Sequence, residues 1–325
     1  MTPEKRQTFT LCIVLIILLI VLLMLVLAVG KTFIISIDNT FIVPVIPAIQ
    51  NKPINPNELS ISEGMSLHEA KTILDANKIT YSIIPTQSRV PNRVEKIEYS
   101  GTSVKLYANE IGKDKVVYLT FDDGPTRDNT YEILDKLQNY GIKASFFVEG
   151  ADVDRYPERM ETTFARGHVI ACHSYSHQLD VIYSSTDEFI KEVRKYEQAM
   201  IDAIGEESFA SIKKIIRFPG GTNNAKLNKE KALEYIAKVR EIGYSVYDWT
   251  VLTGDAEGAS DAATFISNLS SGLEKAKSRG LDLIILMHDK WSTNEALNDI
   301  LDYLVSEGYY FDTIDNCPEY TFFEN

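Results

Sequence analysis

The chain has 325 residues, of which 45% are hydrophobic, and this fits about one or two globular domains. A formal net charge of −13 and a pI near 4.9 argue against nucleic acid or an anionic lipid surface as a partner. Three cysteines are too few for a disulfide framework, so we expect Cys172 and Cys317 to be buried free thiols. Nothing in the sequence implies a protein partner.

An uncharged apolar segment at residues 9–29 is long enough to cross a membrane. Lys5 and Arg6 precede it, which favours a cytoplasmic N-terminus. A cleaved signal peptide is the alternative, because Ala28-Val29-Gly30 offers small residues where a signal peptidase would cut. We expect residues 1–35 to hold a cytoplasmic tip and a transmembrane signal anchor. The rest of the chain then lies outside the cell, as in a single-pass membrane protein of a Gram-positive bacterium.

Two short segments lead from this anchor to the main domain. Residues 36–60 contain four prolines, which predict an extended spacer. Residues 61–109 predict a small α+β module, in which Ser66 and Glu69 fit a capping box at the start of a helix and two strand-like runs follow. This module resembles a shortened PASTA domain, and a featureless α+β spacer is the alternative.

The remaining residues, 110–325, repeat one pattern of an apolar helix, a glycine and a β-rich run. The pattern recurs at Gly141, Gly167, Gly243, Gly280 and Gly308. A glycine at this position ends a helix in the left-handed conformation that other residues avoid. Helices and strands in alternation imply parallel strands joined by crossover helices, with functional side chains gathered at the carboxyl ends of the strands.

Two motifs supply groups that bind a metal ion. Asp122 and Asp123 end an apolar run at a Gly-Pro turn, and His173 and His177 follow fifty residues later. Histidines at i and i+4 lie one helical turn apart, so both rings reach a single ion. One aspartate and two histidines with open positions are typical of a catalytic divalent-metal site. The second carboxylate then remains free to act as a base.

Three further segments complete a recognisable pattern: Arg217-Phe218-Pro219-Gly220-Gly221, Tyr247-Asp248-Trp249 and Leu286-Met287-His288-Asp289. With all five motifs in order, the stretch from about Lys115 to Phe322 resembles a polysaccharide deacetylase catalytic domain, the NodB-type domain of carbohydrate esterase family 4. The resemblance implies an α/β fold, namely an irregular (β/α) barrel with fewer than eight strands. The small α+β module and the transmembrane helix would precede this barrel.

The resemblance also implies a reaction, the hydrolysis of an N-acetyl group with release of acetate. Asp123, His173 and His177 match the ligands of one divalent ion, for which Zn²⁺ is expected and Co²⁺ or another ion is an alternative. Asp122 matches the base that takes a proton from water. Arg217 matches the residue that fixes this carboxylate.

Five more residues receive roles from the same resemblance. His288 matches the general acid that protonates the sugar nitrogen, and Asp248 matches the carboxylate that orients it. The backbone N–H of Gly220 matches the donor that assists in binding the oxyanion. Trp249 and Leu286 are expected to form the walls of a small apolar pocket for the acetyl methyl group.

Substrate preference is less well defined than chemistry. Ser245 stands where many family members have an acidic residue, and Gly220 where many have tyrosine. The expected anchor and spacer indicate a cell-wall glycan, and first among these N-acetylglucosamine in peptidoglycan. N-acetylmuramic acid, chitin-type oligomers and an exopolysaccharide remain alternatives. A catalytically silent wall-binding protein and another metallohydrolase, such as a phosphoesterase, are alternatives of other classes.

Overall fold

The structure is a computed structural model that describes residues 59–88 and 90–324. The segment at residues 9–29 and nearly all of the expected spacer lie outside these ranges, so the membrane anchor remains a prediction. Among the helices within the described ranges, none combines the length and the apolarity that a membrane span requires.

The small module is formed by one helix and three strands: α1 (Leu67–Ala76), β1 (Thr80–Pro85), β2 (Lys96–Ser100) and β3 (Ser103–Ala108). The strand order is β1-β3-β2, with β1 parallel and β2 antiparallel to β3. Leu67 and Leu74 of the helix pack with Val104 and Leu106 of the central strand. The helix begins directly after Ser66, but the capping box is wrong, because the Ser66 side chain accepts no hydrogen bond at the helix start.

The main domain alternates strands and helices along the chain. Its strands are β4 (Val116–Gly124), β5 (Ser145–Val148), β6 (Val169–Cys172), β7 (Ile215–Ile216), β8 (Ser245–Val246), β9 (Val251–Leu252), β10 (Leu283–His288) and β11 (Tyr310–Asp312). Its helices are α2 (Thr130–Tyr140), α3 (Gly150–Arg155), α4 (Pro157–Ala165), α5 (Leu179–Ile182), α6 (Thr186–Ile204), α7 (Glu206–Ser211), α8 (Lys229–Glu241), α9 (Ala262–Ser278) and α10 (Trp291–Ser306). The five glycines of the repeated pattern all have positive φ, as their place after a helix predicts.

All strand pairs of the main sheet are parallel, and seven strands follow the order β8-β7-β6-β5-β4-β10-β9. β11 pairs beside this path with the start of β4, so the sheet has eight strands and the expectation of fewer than eight is wrong. The two edge strands, β8 and β9, are consecutive in the chain and separated only by residues 247–250. The sheet therefore curls into an incomplete barrel, which confirms the predicted fold class for this domain.

The two faces of the sheet are both buried, as is usual for parallel strands covered by crossover helices. In β4, Leu119 and Phe121 pack against the helices outside, whereas Val116 and Tyr118 contribute to a smaller apolar cluster inside. The alternation continues with Thr120 and Asp122 on the inner face. The interior is therefore apolar at the amino ends of the strands and polar at their carboxyl ends.

Candidate active site

The carboxyl end of β4 places two carboxylates next to each other. The register between β4 and β5 shifts between Asp122 and Gly124, and Asp123 adopts a φ of 65°. An irregularity of this kind turns a side chain out of the ordinary alternation of a strand. Asp122 is buried, whereas 39% of the Asp123 side chain is exposed at the rim. Both carboxylates therefore reach the same end of the barrel.

Asp123 lies between the two histidines that follow β6. Its Oδ1 is 3.4 Å from Nε2 of His173 and 3.6 Å from Nε2 of His177. One donor atom from each of these three residues lies within 4.8 Å of the others. The helical explanation for the histidine spacing is wrong, since residues 173–178 form a loop in which Ser174 and His177 have positive φ. The loop nevertheless brings both rings to the carboxylate.

The donor set fits a divalent metal ion. Asp123 Oδ1 is buried and makes no hydrogen bond to any described residue. Nδ1 of His173 lies 3.0 Å from the carbonyl oxygen of Arg217, which leaves Nε2 as the nitrogen with the free lone pair. Burial alone would raise the pKa of Asp123, but contact with His173 and the charges of the nearby imidazoles lower it. The residues thus provide an ionised carboxylate and at least one correctly oriented imidazole.

Arg217 holds the neighbouring carboxylate in place. This arginine is fully buried, and its Nη1 donates a hydrogen bond of 2.7 Å to Asp122 Oδ1. Its Nε and Nη2 donate to the carbonyl oxygens of Tyr247 and Asp248, at 3.0 and 3.2 Å. The guanidinium also lies 4.0 Å from the ring centroid of Phe147. A buried cation with this many partners fixes the orientation of the Asp122 carboxylate.

His288 is oriented by Asp255, not by Asp248 as the motif resemblance implied. Asp255 Oδ1 lies 2.9 Å from Nδ1 of His288, and its Oδ2 accepts the backbone N–H of His288 at 2.7 Å. Burial would lower the pKa of His288, but the hydrogen bond to Asp255 and the charges of Asp122 and Asp123 raise it to about 8. The sequence signal that could have identified Asp255 is its position: it stands three residues after Leu252, which ends the short strand β9 at the same rim.

Asp248 has a different place in the structure. Its side chain accepts the backbone N–H groups of Thr222 and Phe322, at 2.9 and 2.8 Å. These bonds tie the loop after β7 and the C-terminal segment to the residues that join β8 and β9. Asp248 is fully buried, and burial raises its pKa. Its carboxylate therefore ties these segments together, and its carbonyl oxygen accepts a hydrogen bond from Arg217.

The remaining predicted residues lie around this centre, and their roles stay predictions. Gly220 is exposed in a turn with φ of 75°, and among described residues its N–H has no hydrogen-bond acceptor. The Trp249 ring is half-buried, 5.7 Å from the Arg217 guanidinium and 5.1 Å from the Phe322 ring. Leu286 is buried on β10, two residues before His288.

Two further carboxylates near this centre received no role in the sequence analysis, although Asp289 belongs to the last motif. Glu149, directly after β5, is a half-buried carboxylate whose pKa is raised to about 7 by burial and by the charge of Asp123. Asp289 is buried and accepts hydrogen bonds from the hydroxyl groups of Thr126 and Thr130, which fixes the loop after β4. A side chain at Gly124 would place its Cβ 2.8 Å from Asp289 Oδ2, so this loop requires a glycine.

The barrel rim thus carries an Asp-His-His centre with an arginine-held carboxylate and a carboxylate-held imidazole beside it. A donor set of this kind, with a second carboxylate and a third imidazole beside it, is typical of catalytic metal centres. Comparison with known proteins gives the family: a model described as polysaccharide deacetylase matches residues 109–237. A peptidoglycan-N-acetylglucosamine deacetylase of Bacillus cereus is 31% identical over 228 residues, which cover 67% of this chain and 75% of that protein. The chain belongs to the polysaccharide deacetylase family.

Two other similarities describe how far this relationship extends. The catalytic domain of a peptidoglycan N-acetylglucosamine deacetylase from Eubacterium rectale is 30% identical with a TM-score of 0.55, covering 64% of this chain and 92% of that domain. The peptidoglycan-N-acetylglucosamine deacetylase PgdA of Listeria monocytogenes is 27% identical over 291 residues, or 82% of this chain. The chain spans only 57% of the length of this Listeria protein.

Proposed function

We propose that the protein is a metal-dependent N-deacetylase of cell-wall polysaccharide, which removes acetate from N-acetylglucosamine in peptidoglycan. One observation carries the proposal: a base and an acid, each held by its own partner, lie beside the same Asp-His-His centre. The names of the Bacillus cereus and Listeria relatives support the reaction and the substrate.

Asp123, His173 and His177 would hold the metal, for which we propose Zn²⁺, with Co²⁺ as an alternative. When bound, a divalent ion polarises a carbonyl oxygen and lowers the pKa of water. The protein contributes a rigid donor set, because His173 is fixed through its second nitrogen and Asp123 through the irregular end of β4.

Asp122 is proposed as the general base. Arg217 occupies its Oδ1, so Oδ2 is the oxygen that can accept the proton of the attacking water. Asp122 Oδ2 is 3.7 Å from Nε2 of His173, which places it beside the metal ligands. Since an arginine side chain stays protonated in proteins, its hydrogen bond holds the Asp122 carboxylate in one orientation while Oδ2 accepts the proton and later releases it.

His288 is proposed as the general acid that protonates the departing sugar amine. Asp255 accepts its Nδ1–H, so Nε2 is the nitrogen that faces the centre, 4.0 Å from Asp123 Oδ2. With a pKa of about 8, the imidazole carries its proton at neutral pH. We further propose that the Gly220 N–H binds the oxyanion and that Trp249 and Leu286 contact the acetyl methyl group.

A second substrate has specific support. A Bacillus subtilis relative that is 28% identical is a peptidoglycan-N-acetylmuramic acid deacetylase, and 72% of its length is covered.

For location, we propose a single-pass membrane protein, anchored by residues 9–29, whose catalytic domain lies outside the cell. The uncharged length of this segment supports the anchor.

Acetate release from purified peptidoglycan and from acetylated chito-oligomers tests the proposed reaction. We expect release that stops on addition of a chelator and returns with Zn²⁺ or Co²⁺. His177→Ala should lose both bound metal and acetate release, whereas His68→Ala, an exposed histidine of the small module, should retain both. Full metal content and activity in His177→Ala would show that the assigned ligand set is wrong.

A further inference from the structure

The loop at residues 173–178 carries two of the three proposed metal ligands and depends on its surroundings for its shape. Ser174 and His177 have φ of 70° and 53°, although neither is a glycine. Residues other than glycine seldom adopt this conformation, and they keep it only where neighbouring groups impose it. The contacts that hold this loop therefore determine where the His173 and His177 rings lie.

The first half of the loop is fixed by the start of α3 and by a carbonyl group. The Gly150 N–H donates to the carbonyl oxygen of Ser174 at 3.1 Å. A Cβ at Gly150 would lie 2.5 Å from Cδ2 of Tyr175, so α3 approaches the loop closely. Nδ1 of His173 lies 3.0 Å from the carbonyl oxygen of Arg217. This half of the loop and the His173 ring therefore have their own anchors.

The second half of the loop is anchored by a buried carboxylate. Glu192 of α6 accepts the Ser176 N–H at its Oε2, at a distance of 2.8 Å. In the part of the chain that the structure describes, no other group outside the loop bonds to the backbone of Ser176 or His177. The His177 N–H bonds within the loop, to Oγ of Ser174 at 3.1 Å. The backbone next to this ligand is therefore held by Glu192.

The burial of Glu192 argues against a role in packing alone. Only 2% of this residue is exposed, and a buried carboxylate is unfavourable unless hydrogen bonds compensate it. The compensation comes from the Ser176 N–H and from Lys195, whose Nζ lies 3.3 Å from Oε1. The Lys195 side chain is 59% exposed, which weakens this ion pair. Since hydrogen bonds to an ionised acceptor are short and strong, the main contact of Glu192 is with the loop.

The neighbouring metal ligand gives this contact a function. His177 follows Ser176 directly, and its Nε2 lies 3.6 Å from Oδ1 of Asp123. Among the described residues, no carbonyl group of another element bonds to the His177 ring, in contrast to the ring of His173. The position of the His177 ring therefore depends on the backbone that Glu192 holds.

We propose that Glu192 is a positioning residue for the metal centre. Its carboxylate fixes the Ser176 N–H and thereby keeps the His177 ring beside Asp123, where both can bind one ion. This inference rests on the proposed function, because it assigns a role toward the proposed metal. Removal of a group that orients a metal ligand typically weakens metal binding about 10–100-fold.

Metal titration of the full-length apoprotein tests this role without any substrate. In Glu192→Leu, which removes both acceptor oxygens, the Kd for Co²⁺ should rise about 10–100-fold and the visible absorption spectrum of bound Co²⁺ should change. Glu192→Gln keeps an oxygen for the Ser176 N–H, so its Kd should stay within about fivefold of the wild-type value. Acetate release by Glu192→Leu should be low at limiting Zn²⁺ and recover towards saturating Zn²⁺.

Glu197 provides a matched control on the same helix. It is also a buried carboxylate, but it accepts hydrogen bonds from Lys214 at 2.9 Å and from the Tyr244 hydroxyl at 3.1 Å, and none from the loop. Glu197→Leu should lower the free energy of unfolding in urea and leave the Kd for Co²⁺ unchanged. An equal rise of the Kd in both leucine variants would overturn the inference, since metal affinity would then follow stability and not the position of the loop.

The remaining outcomes separate this inference from the proposed function. A wild-type Kd and Co²⁺ spectrum in Glu192→Leu would refute the positioning role. If that variant does not fold, Glu192→Asp takes its place, because the shorter side chain keeps the charge but withdraws it from Ser176, and an unchanged Kd would again refute the role. Both results leave the proposed function intact when the wild type binds Co²⁺ and releases acetate. Failure of the wild type to bind Co²⁺ would overturn the metal centre and this inference together.

Discussion

Asp122 and His288 pair in register at the ends of β4 and β10, and each has one buried partner that suits its proposed role. Arg217 donates a hydrogen bond to one oxygen of Asp122, whereas Asp255 places negative charge behind His288. The pKa of His288 is raised to about 8 by this contact, so the imidazole holds its proton at neutral pH. This separation of a base from an acid is what amide hydrolysis requires.

The first prediction concerns Asp122. Asp122→Asn keeps an acceptor for Arg217 but removes the basic oxygen, so acetate release should fall by about 10²–10⁴-fold while bound metal is retained. Elemental analysis and kcat measure the two effects. Asp299→Asn, an exposed position on α10, is the matched control and should behave as the wild type. Turnover of Asp122→Asn near the control value would exclude Asp122 as the base.

A second prediction concerns the pH profile. The acid form of His288 is lost as pH rises through its pKa of about 8, so kcat/KM should decline above that pH. Asp255→Asn removes the charge that raises this pKa, and the decline should move to lower pH. Asp248→Asn should destabilise the protein but leave the pH of this decline unchanged, because the Asp248 carboxylate bonds to Thr222 and Phe322 and not to His288. If this pH shifted in Asp248→Asn but not in Asp255→Asn, Asp248 would be the residue that orients His288, as the motif resemblance implied.

Much of this centre follows from the sequence, since carboxylates and histidines stand directly after β-rich runs whose carboxyl ends meet. The pairing of Asp255 with His288 could not be predicted in this way. Asp248-Trp249 satisfies the motif instead, and 33 residues separate Asp255 from His288. The loop that carries His173 and His177 could not be predicted either, because its residues with positive φ, Ser174 and His177, are not glycines. Those conformations depend on tertiary contacts that no local pattern records.

At the scale of elements, helix ends were easier to predict than strands. Five glycines marked the helix ends, and all have the expected positive φ. β8 lies in the β-rich run that the pattern predicts after Gly243, although it contains only two residues. β9, the other edge of the sheet, also has two residues and follows no such glycine, so this strand was hidden in the sequence.

The third prediction concerns the junction of β5 and β6, where His168 is buried. Its Nδ1 accepts the Ala144 N–H at 3.2 Å, and its Nε2 has no partner among described residues. Burial, with the charges of Lys143 and Arg166, lowers its pKa to about 3, whereas an unfolded histidine titrates near 6.5. The unfolded state therefore binds the proton first, and stability should be complete above about pH 6.5 and fall below it.

This loss should reach about 2 kcal/mol at pH 5. His168→Asn keeps an acceptor but cannot titrate, so its free energy of unfolding should depend less on pH between 6.5 and 4. Urea unfolding at several pH values measures the difference. His68→Asn is the control, because His68 is exposed. Identical acid sensitivity in His168→Asn and the wild type would show that other groups dominate.

For the whole molecule, the fourth prediction concerns membrane attachment. If residues 9–29 remain in the mature protein and residues 36–60 form the extended spacer that their prolines predict, the catalytic domain could lie up to about 75 Å from the bilayer. Protease added to intact, wall-stripped cells should digest this domain and leave a short embedded stub. A protected domain would contradict the proposed topology. A mature N-terminus at Lys31 would instead identify a secreted enzyme with unchanged chemistry.

The small module contacts the barrel at the end opposite to the active site. Arg93 of the module lies 3.7 Å from Asp312 of β11, the strand that pairs with the start of β4. β4 then runs from Val116 at this end to Asp122 and Asp123, a distance of about 20 Å. The domain therefore has a polarity: the chain enters at one pole, and the candidate metal centre lies at the other. If the proposed anchor holds the protein on the side of the entry pole, the enzyme would act outward, on glycan strands beyond it and not on those between itself and its attachment.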